Sequence, residues 1–240
     1  MRKIIIENWK MNPASEKEAE QLFKEAIASA SLEIDTIIAS PFIYLSILAR
    51  IKRPHYIALA AQDVFWEESG AFTGEISPLQ LKGYGVKYVI VGHSERRLNL
   101  GETDELIGKK VRAAHTHGII PVLCIGETKK EKEDNMREAI LKMQLEKGLA
   151  LLAKNAEFLI AYEPVWAIGT GNPSTVEDTL EAVHFINRVL QALHKGYKVK
   201  FLYGGSITKD TVRDFLKEDD IHGVLMGKAS LSPADFKEMV

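Results

Sequence analysis

Three side chains able to move a proton beside a polarised oxygen each follow within a few residues of an apolar run. Glu163 follows FLIAY and precedes PVWAIGT; His93 follows KYVIV within VGHSERR; Lys10 follows KIIIE within ENWK, with Asn8 two residues earlier. A carboxylate covered by an apolar loop is desolvated, and a desolvated carboxylate is a usable base near neutrality. A histidine at a helix start is disfavoured as imidazolium and can donate a hydrogen bond to a substrate oxygen. A lysine in a pocket supplies fixed positive charge to an anionic substrate and to a developing enolate. Taken singly, each residue has a plainer reading. Glu163 is a surface carboxylate capping a loop, His93 a core or capping histidine, Lys10 a solvated cation. Asn8 is a turn former or an amide that positions Lys10 or a ligand. Glu95 either holds Lys10 or pairs with Arg96 or Arg97.

Glycines form the second set. YGGS ends in Ser206, MGKAS holds Gly227 and Lys228, and Gly169 follows the apolar run after Glu163. Glycine lets backbone N–H groups approach an anion closely, and a helix start behind the loop adds its positive end. Glycines in both of the last two loops, with a serine attached to one, favour phosphate over simple tight turns.

These residues need elements to place them. Eight short apolar runs recur along the chain: KIIIE, DTIIAS, YIALAA, KYVIVG, GIIPVLCIG, EFLIAYE, KVKFLYGG and HGVLMG. They are nearly continuous rather than alternating, which predicts burial on both faces and parallel pairing. Between them, apolar residues fall at three- and four-residue steps: Ala19, Leu22, Phe23, Ala26, Ile27 and Ala30; then Ile107, Val111 and Ala114; then Leu180, Val183, Ile186 and Leu190. Each set makes one helical face. Ser15 with Glu18 and Ser174 with Glu177 predict capped helix starts, and Gly118 a left-handed stop. Eight strand–helix units predict an α/β fold, a closed (β/α)8 barrel of parallel strands, occupying residues 1–240 as one domain. An open doubly wound sheet remains the alternative, but no glycine-rich dinucleotide fingerprint follows the first strand. In such barrels chemistry gathers where strands end, and the chemical residues above all lie there.

Among 240 residues the net charge is -2, so neither nucleic acid nor an anionic membrane is expected as a partner. A single cysteine, Cys124, fits a reducing compartment, and no segment reads as a signal peptide or membrane span; a cytoplasmic protein is expected. No CxxC or HExxH spacing supports a metal, and His115 and His117 lie toward a helix end. No cofactor is expected.

Taken jointly, NWKMN, GHSERR, PVLCIGE, AYEPVWAIGTG and YGGS resemble the triosephosphate isomerase family, in its order and from end to end of the chain. The resemblance implies interconversion of dihydroxyacetone phosphate and glyceraldehyde 3-phosphate, in glycolysis and gluconeogenesis, without metal or organic cofactor. It implies Glu163 as the base, His93 as the neutral electrophile and Lys10 as the electrostatic stabiliser, with Asn8 at the substrate. The Glu base, neutral His and closing loop of this family are a standard illustration of pKa tuning, so these roles are carried over rather than deduced. Gly169, Ser206, Gly227 and Lys228 match donors around the phosphate, and Glu95 an acid that orders the site. Pro164, Val165, Trp166, Ala167, Ile168, Gly169 and Thr170 match a lid, with Pro164 to Trp166 its leading hinge and Tyr203 the residue that pins it closed. Gln62 to Ser77 resembles the loop through which family members dimerise, with Thr73 near its tip; a homodimer or homotetramer is expected.

Four positions depart from the family pattern. Pro173 falls in the trailing hinge, Lys228 stands where a second glycine is usual, Asp63 replaces Asn, and Leu100 replaces Phe. Two other functions compete. Another phosphosugar barrel, such as one of tryptophan biosynthesis, would share the final loops but not need NWK, GHSERR and EPVWAIGTG together. A catalytically silent barrel that binds triose phosphate would not need a base.

Overall fold

The computed structural model describes residues 2–168 and 174–239. The eight apolar runs are strands: β1 Lys3–Asn8, β2 Ile34–Ser40, β3 Ile57–Ala61, β4 Tyr88–Val91, β5 Ile120–Ile125, β6 Glu157–Tyr162, β7 Lys198–Tyr203 and β8 Gly223–Met226. They pair in parallel, each with its neighbour in sequence, and β1 pairs with β8 to close the barrel in the order β1 to β8. The open-sheet alternative is excluded by that closure.

The strands are apolar on both faces because each face has its own layer to fill. Ile4, Ile6, Ile37, Ala39, Ala60, Ile90, Val122, Cys124 and Leu159 pack inside the barrel. Their neighbours Ile38, Leu59, Val89, Val91, Leu123 and Ile160 pack outward against the helices. Burying each large aliphatic chain contributes about 1.5–3 kcal/mol, so most of the fold's stability resides in these two layers.

The helices are α1 Glu16–Ser29, α2 Phe42–Leu48, α3 Pro78–Gly83, α4 Ser94–Leu100, α5 Asp104–Thr116, α6 Lys129–Glu133, α7 Arg137–Gly148, α8 Val176–Ala192, α9 Val212–Lys217 and α10 Pro233–Met239. The predicted capping box of α1 is present, with Ser15 accepting from the Glu18 N–H and Glu18 reaching back. Ala19, Phe23 and Ala26 form its buried stripe. Gly118 takes the left-handed conformation just past α5, φ 73°, as its helix stop requires. The start of α8 differs by one residue from the sequence expectation. Thr175, not Ser174, is its N-cap and accepts from the Asp178 N–H, while the Ser174 hydroxyl donates to the Asp178 carboxylate. Both residues are good caps, and nothing in the local sequence separates them.

Candidate active site

The C-terminal ends of the strands surround a cavity of about 750 Å³, within the range that encloses small ligands. Asn8, Lys10, His93, Gly204, Ser206 and Gly227 line it. Six residues from four strand ends that are far apart in sequence thus meet at one mouth.

Lys10 reaches the cavity through a backbone turn that non-glycine residues rarely adopt, φ 53°. Three contacts hold that turn. Asn8 Oδ1 accepts from the Lys10 N–H at 3.0 Å, and the Lys10 carbonyl accepts from Gln62 Nε2 at 2.8 Å. The Lys10 ammonium is paired with Glu95. Glu95 therefore serves Lys10 rather than Arg96 or Arg97, and Gln62 is turned onto the first loop. Arg97 instead donates to the Gly92 and Cys124 carbonyls and pairs with Asp104 at 2.5 Å.

His93 is the N-cap of α4, and its Nδ1 accepts from the Glu95 N–H at 3.2 Å. A ring nitrogen that accepts a backbone N–H carries no proton, which leaves the N–H of a neutral ring on Nε2. That nitrogen lies 3.3 Å from Glu163 Oε1. The approach is near but not aligned as a hydrogen bond, since Oε1 has no hydrogen-bond partner. Oε2 accepts from the Ser94 N–H at 2.9 Å, at the start of α4 where backbone N–H groups favour negative charge. With 1% of its surface exposed, Glu163 has one oxygen anchored and one free beside an imidazole.

Two glycines make room for it. A Cβ on Gly126 would stand 1.7 Å from the Glu163 carbonyl oxygen, and one on Gly204 2.8 Å from Glu163 Cγ. Cys124 lines the barrel beneath; burial first, and the Glu163 carboxylate second, push its thiol well above the ordinary range. It stays protonated and offers no competing nucleophile.

The chain after Glu163 forms a 3-10 turn, Val165–Ala167. Trp166 donates its indole N–H to Glu127 Oε1 at 2.8 Å, and the Tyr162 hydroxyl reaches both Glu127 oxygens at 3.1 Å. Lys132 Nζ sits over the Trp166 ring, 3.6 Å from its centroid. Burial raises the Glu127 carboxyl, and the Trp166 hydrogen bond offsets part of that rise. Burial likewise drives the Tyr162 hydroxyl far above the ordinary phenol value, so it remains a donor. Ser206 Oγ donates to the Ala167 carbonyl at 2.6 Å. On the far side, the Tyr203 hydroxyl accepts from the Ser174 N–H at 2.9 Å; burial pushes that hydroxyl up to about 12. Tyr203 thus grips the backbone at one end of the segment, while Glu127 and Ser206 grip the other.

Gly169, Thr170 and Pro173 lie outside the described residues. Lys228 belongs to a 3-10 turn, Lys228–Leu231, after β8. Thr73 is exposed in the loop between β3 and α3. Among the described residues no group of three or more His, Cys, Asp or Glu is placed to hold a metal, and no helix is long and apolar enough to cross a membrane. Sequence reading gave no role to Glu127, Tyr162 or Ser94. Glu127 carried the one available signal, a glutamate at the end of the fifth strand just as Glu163 ends the sixth.

The triosephosphate isomerase family model matches residues 3–240. Triosephosphate isomerases of Thermoanaerobacter pseudethanolicus, Dictyoglomus thermophilum and Carboxydothermus hydrogenoformans are 40%, 41% and 44% identical to the chain. Each alignment covers 100% of this chain and 98% of the relative. With the barrel closed and these matches running the length of the chain, it belongs to the triosephosphate isomerase family.

Proposed function

We propose that the chain, acting as one barrel domain, interconverts dihydroxyacetone phosphate and D-glyceraldehyde 3-phosphate through an enediolate, in glycolysis and gluconeogenesis. The observation that carries this reading is that His93 and Lys10 line one cavity together with the two glycine loops, while Glu163 Oε1 lies 3.3 Å from His93 Nε2. Glu163 removes a proton from the carbon beside the carbonyl of the bound ketose. The electron pair moves onto the carbonyl oxygen, where His93 Nε2–H and the Lys10 ammonium stabilise it. His93 relays the hydroxyl proton between the two oxygens, and Glu163 returns its proton to the neighbouring carbon, giving the aldose. Atoms and charge balance without a cofactor.

Backbone N–H groups at Ser206, Gly227 and Lys228, with Gly169 from the lid, hold the phosphate. The segment Pro164–Thr170 closes over the substrate, excludes water and hinders loss of phosphate from the enediolate. The Glu127–Trp166 contact and the Tyr203–Ser174 contact support that reading, because they fix the flanks of a segment whose middle must move. A cytoplasmic homodimer is the proposed working form, or a homotetramer. Met11, Ile43, Phe72, Leu98 and Leu100, in loops and helices following the first four strands, are exposed apolar side chains that a partner would cover.

The test is a coupled assay supplying glyceraldehyde 3-phosphate and following dihydroxyacetone phosphate, with Glu163→Gln alongside. Fast turnover by the parent and loss of several orders of magnitude in the variant is expected. A folded parent that binds a triose phosphate without turning it over would replace this reading with the silent barrel.

A further inference from the structure

The outer face of β1 carries an acid that the proposed chemistry does not use. Along this strand Ile4, Ile6 and Asn8 turn to the barrel interior and its mouth, while Lys3, Ile5 and Glu7 alternate with them. Glu7 is 1% exposed. Its neighbours in register are Ile38 of β2 and Met226 of β8. Ile5 on one side joins the cluster of Phe236 and Met239, and Trp9 on the other joins the cluster of Ala19 and Phe23. An apolar residue would fill such a place at no electrostatic cost. Instead Glu7 Oε2 accepts from the Trp9 indole N–H at 3.3 Å, and Oε1 is buried with no hydrogen-bond partner.

We infer that Glu7 is a positioning residue for Lys10, a buried acceptor that fixes the Trp9 indole and so braces the left-handed turn delivering the Lys10 ammonium to the site. The inference rests on the proposed role of Lys10. The Lys10 turn is held from the mouth side by Asn8 and Gln62. Trp9 is the residue immediately before it, fully buried, with its backbone N–H on the Ala39 carbonyl and its carbonyl accepting from Asn12. Freed of its acceptor, the indole N–H would be an unpaired buried donor, and the cheapest relief is rotation of Trp9 toward another partner. That rotation carries the Lys10 backbone with it.

The acceptor works uncharged. Desolvation raises the Glu7 carboxyl to about 8, with the Trp9 hydrogen bond as the opposing influence. Among the described residues the charged groups around it are turned away. Lys3, on the same face, donates to the Glu218 and Ile221 carbonyls. α1 presents Ala19, Phe23 and Ala26 as its buried residues and α10 Phe236 and Met239, while Glu16, Glu18, Glu20, Lys24, Asp235, Lys237 and Glu238 are not buried. Ser230, buried in the turn after β8, donates to the Gly227 and Asn8 carbonyls. Raising the pH through about 8 therefore puts an uncompensated charge behind the Lys10 turn.

The experiment measures kcat, KM and melting temperature from about pH 6.5 to about pH 9.5 for the parent, Glu7→Leu, Glu7→Gln and Trp9→Phe. Glu7→Leu is expected to lower kcat about tenfold at neutral pH, the equivalent of one lost hydrogen bond, while melting no lower than the parent. A purely structural role would not separate those two readouts. Glu7→Gln keeps an acceptor and cannot ionise, so it should restore most of that kcat and abolish the alkaline decline of the parent. Trp9→Phe should lose kcat as Glu7→Leu does. Parental kcat in Glu7→Leu, or an alkaline decline that persists in Glu7→Gln, would overturn the inference. Parent turnover in the same assay separates these outcomes from failure of the proposed reaction itself.

Discussion

Behind the site lies a four-charge cluster in which one substitution should have a large and calculable effect. Lys110 of α5, 3% exposed, donates to both Asp63 oxygens at 2.8 and 2.7 Å and pairs with Glu102. Arg96 of α4 closes the ring, 2.8 Å from Asp63 and 2.6 Å from Glu102. Two cations and two carboxylates cancel. Lys110→Met keeps the chain length but leaves two buried carboxylates sharing one guanidinium. Breaking a buried pair from one side costs about 3–5 kcal/mol, and the remaining Arg96 holds the expectation near the lower figure. Burial raises the Asp63 carboxyl, with Lys110 opposing; burial also raises Glu102, but Lys110 and Arg96 outweigh it and leave Glu102 below its ordinary value. A lowered carboxyl contributes stability that is present above its unfolded value and lost as pH falls through the folded one. Without Lys110 both folded values rise. The cost of Lys110→Met should thus be full at neutral pH and shrink on acidification, as both carboxyls protonate. Adding Asp63→Asn leaves one Arg96–Glu102 pair, so the double variant should be more stable than the sum of the singles predicts, by about 1–3 kcal/mol. Urea unfolding at fixed protein concentration measures all of this; concentration is held fixed because any assembly would add to apparent stability. A cost below about 1 kcal/mol, or singles that simply add, would refute the cluster as a coupled unit.

Two further substitutions follow from the site geometry. Gly126→Ala drives a methyl to 1.7 Å from the Glu163 carbonyl oxygen, so backbone must move; a loss of about 3 kcal/mol in unfolding free energy is expected, with turnover falling alongside. Tyr203→Phe removes the acceptor for the Ser174 N–H while leaving its ring stacked on Phe215 at 4.0 Å; kcat/KM should fall about tenfold with little change in melting temperature.

How much of this is legible in the sequence depends on how each feature is encoded. The barrel is legible because parallel strands buried on both faces leave an unbroken apolar signature, repeated eight times here with amphipathic helices between. The site residues are legible as a list for the same reason: a strand end is a place that the pattern itself marks. What the pattern does not carry is pairing. Asp63 and Lys110 are 47 positions apart and meet because β3 pairs with β4; Lys10 and Glu95 are 85 apart, after β1 and β4, and meet because the sheet curls into a barrel. The choice of Glu95 on Lys10, rather than on Arg96 or Arg97, follows from α4 turning those arginines toward Asp63, Asp104 and the Cys124 carbonyl. Glu7 is the opposite case, visible as the one acid in an apolar strand yet uninterpretable until its burial is known. A glutamate at a strand's end reads as chemistry when the next residue begins a loop, as at Glu163 and Glu127. One position inside the strand it reads as an exposed face, and only its 1% exposure, on the face where Ile5 joins the cluster of Phe236 and Met239, shows that there is no water to meet the charge. Glu163, the proposed base, and Glu7, the proposed brace, thus differ less in residue type than in which side of the same barrel wall they occupy.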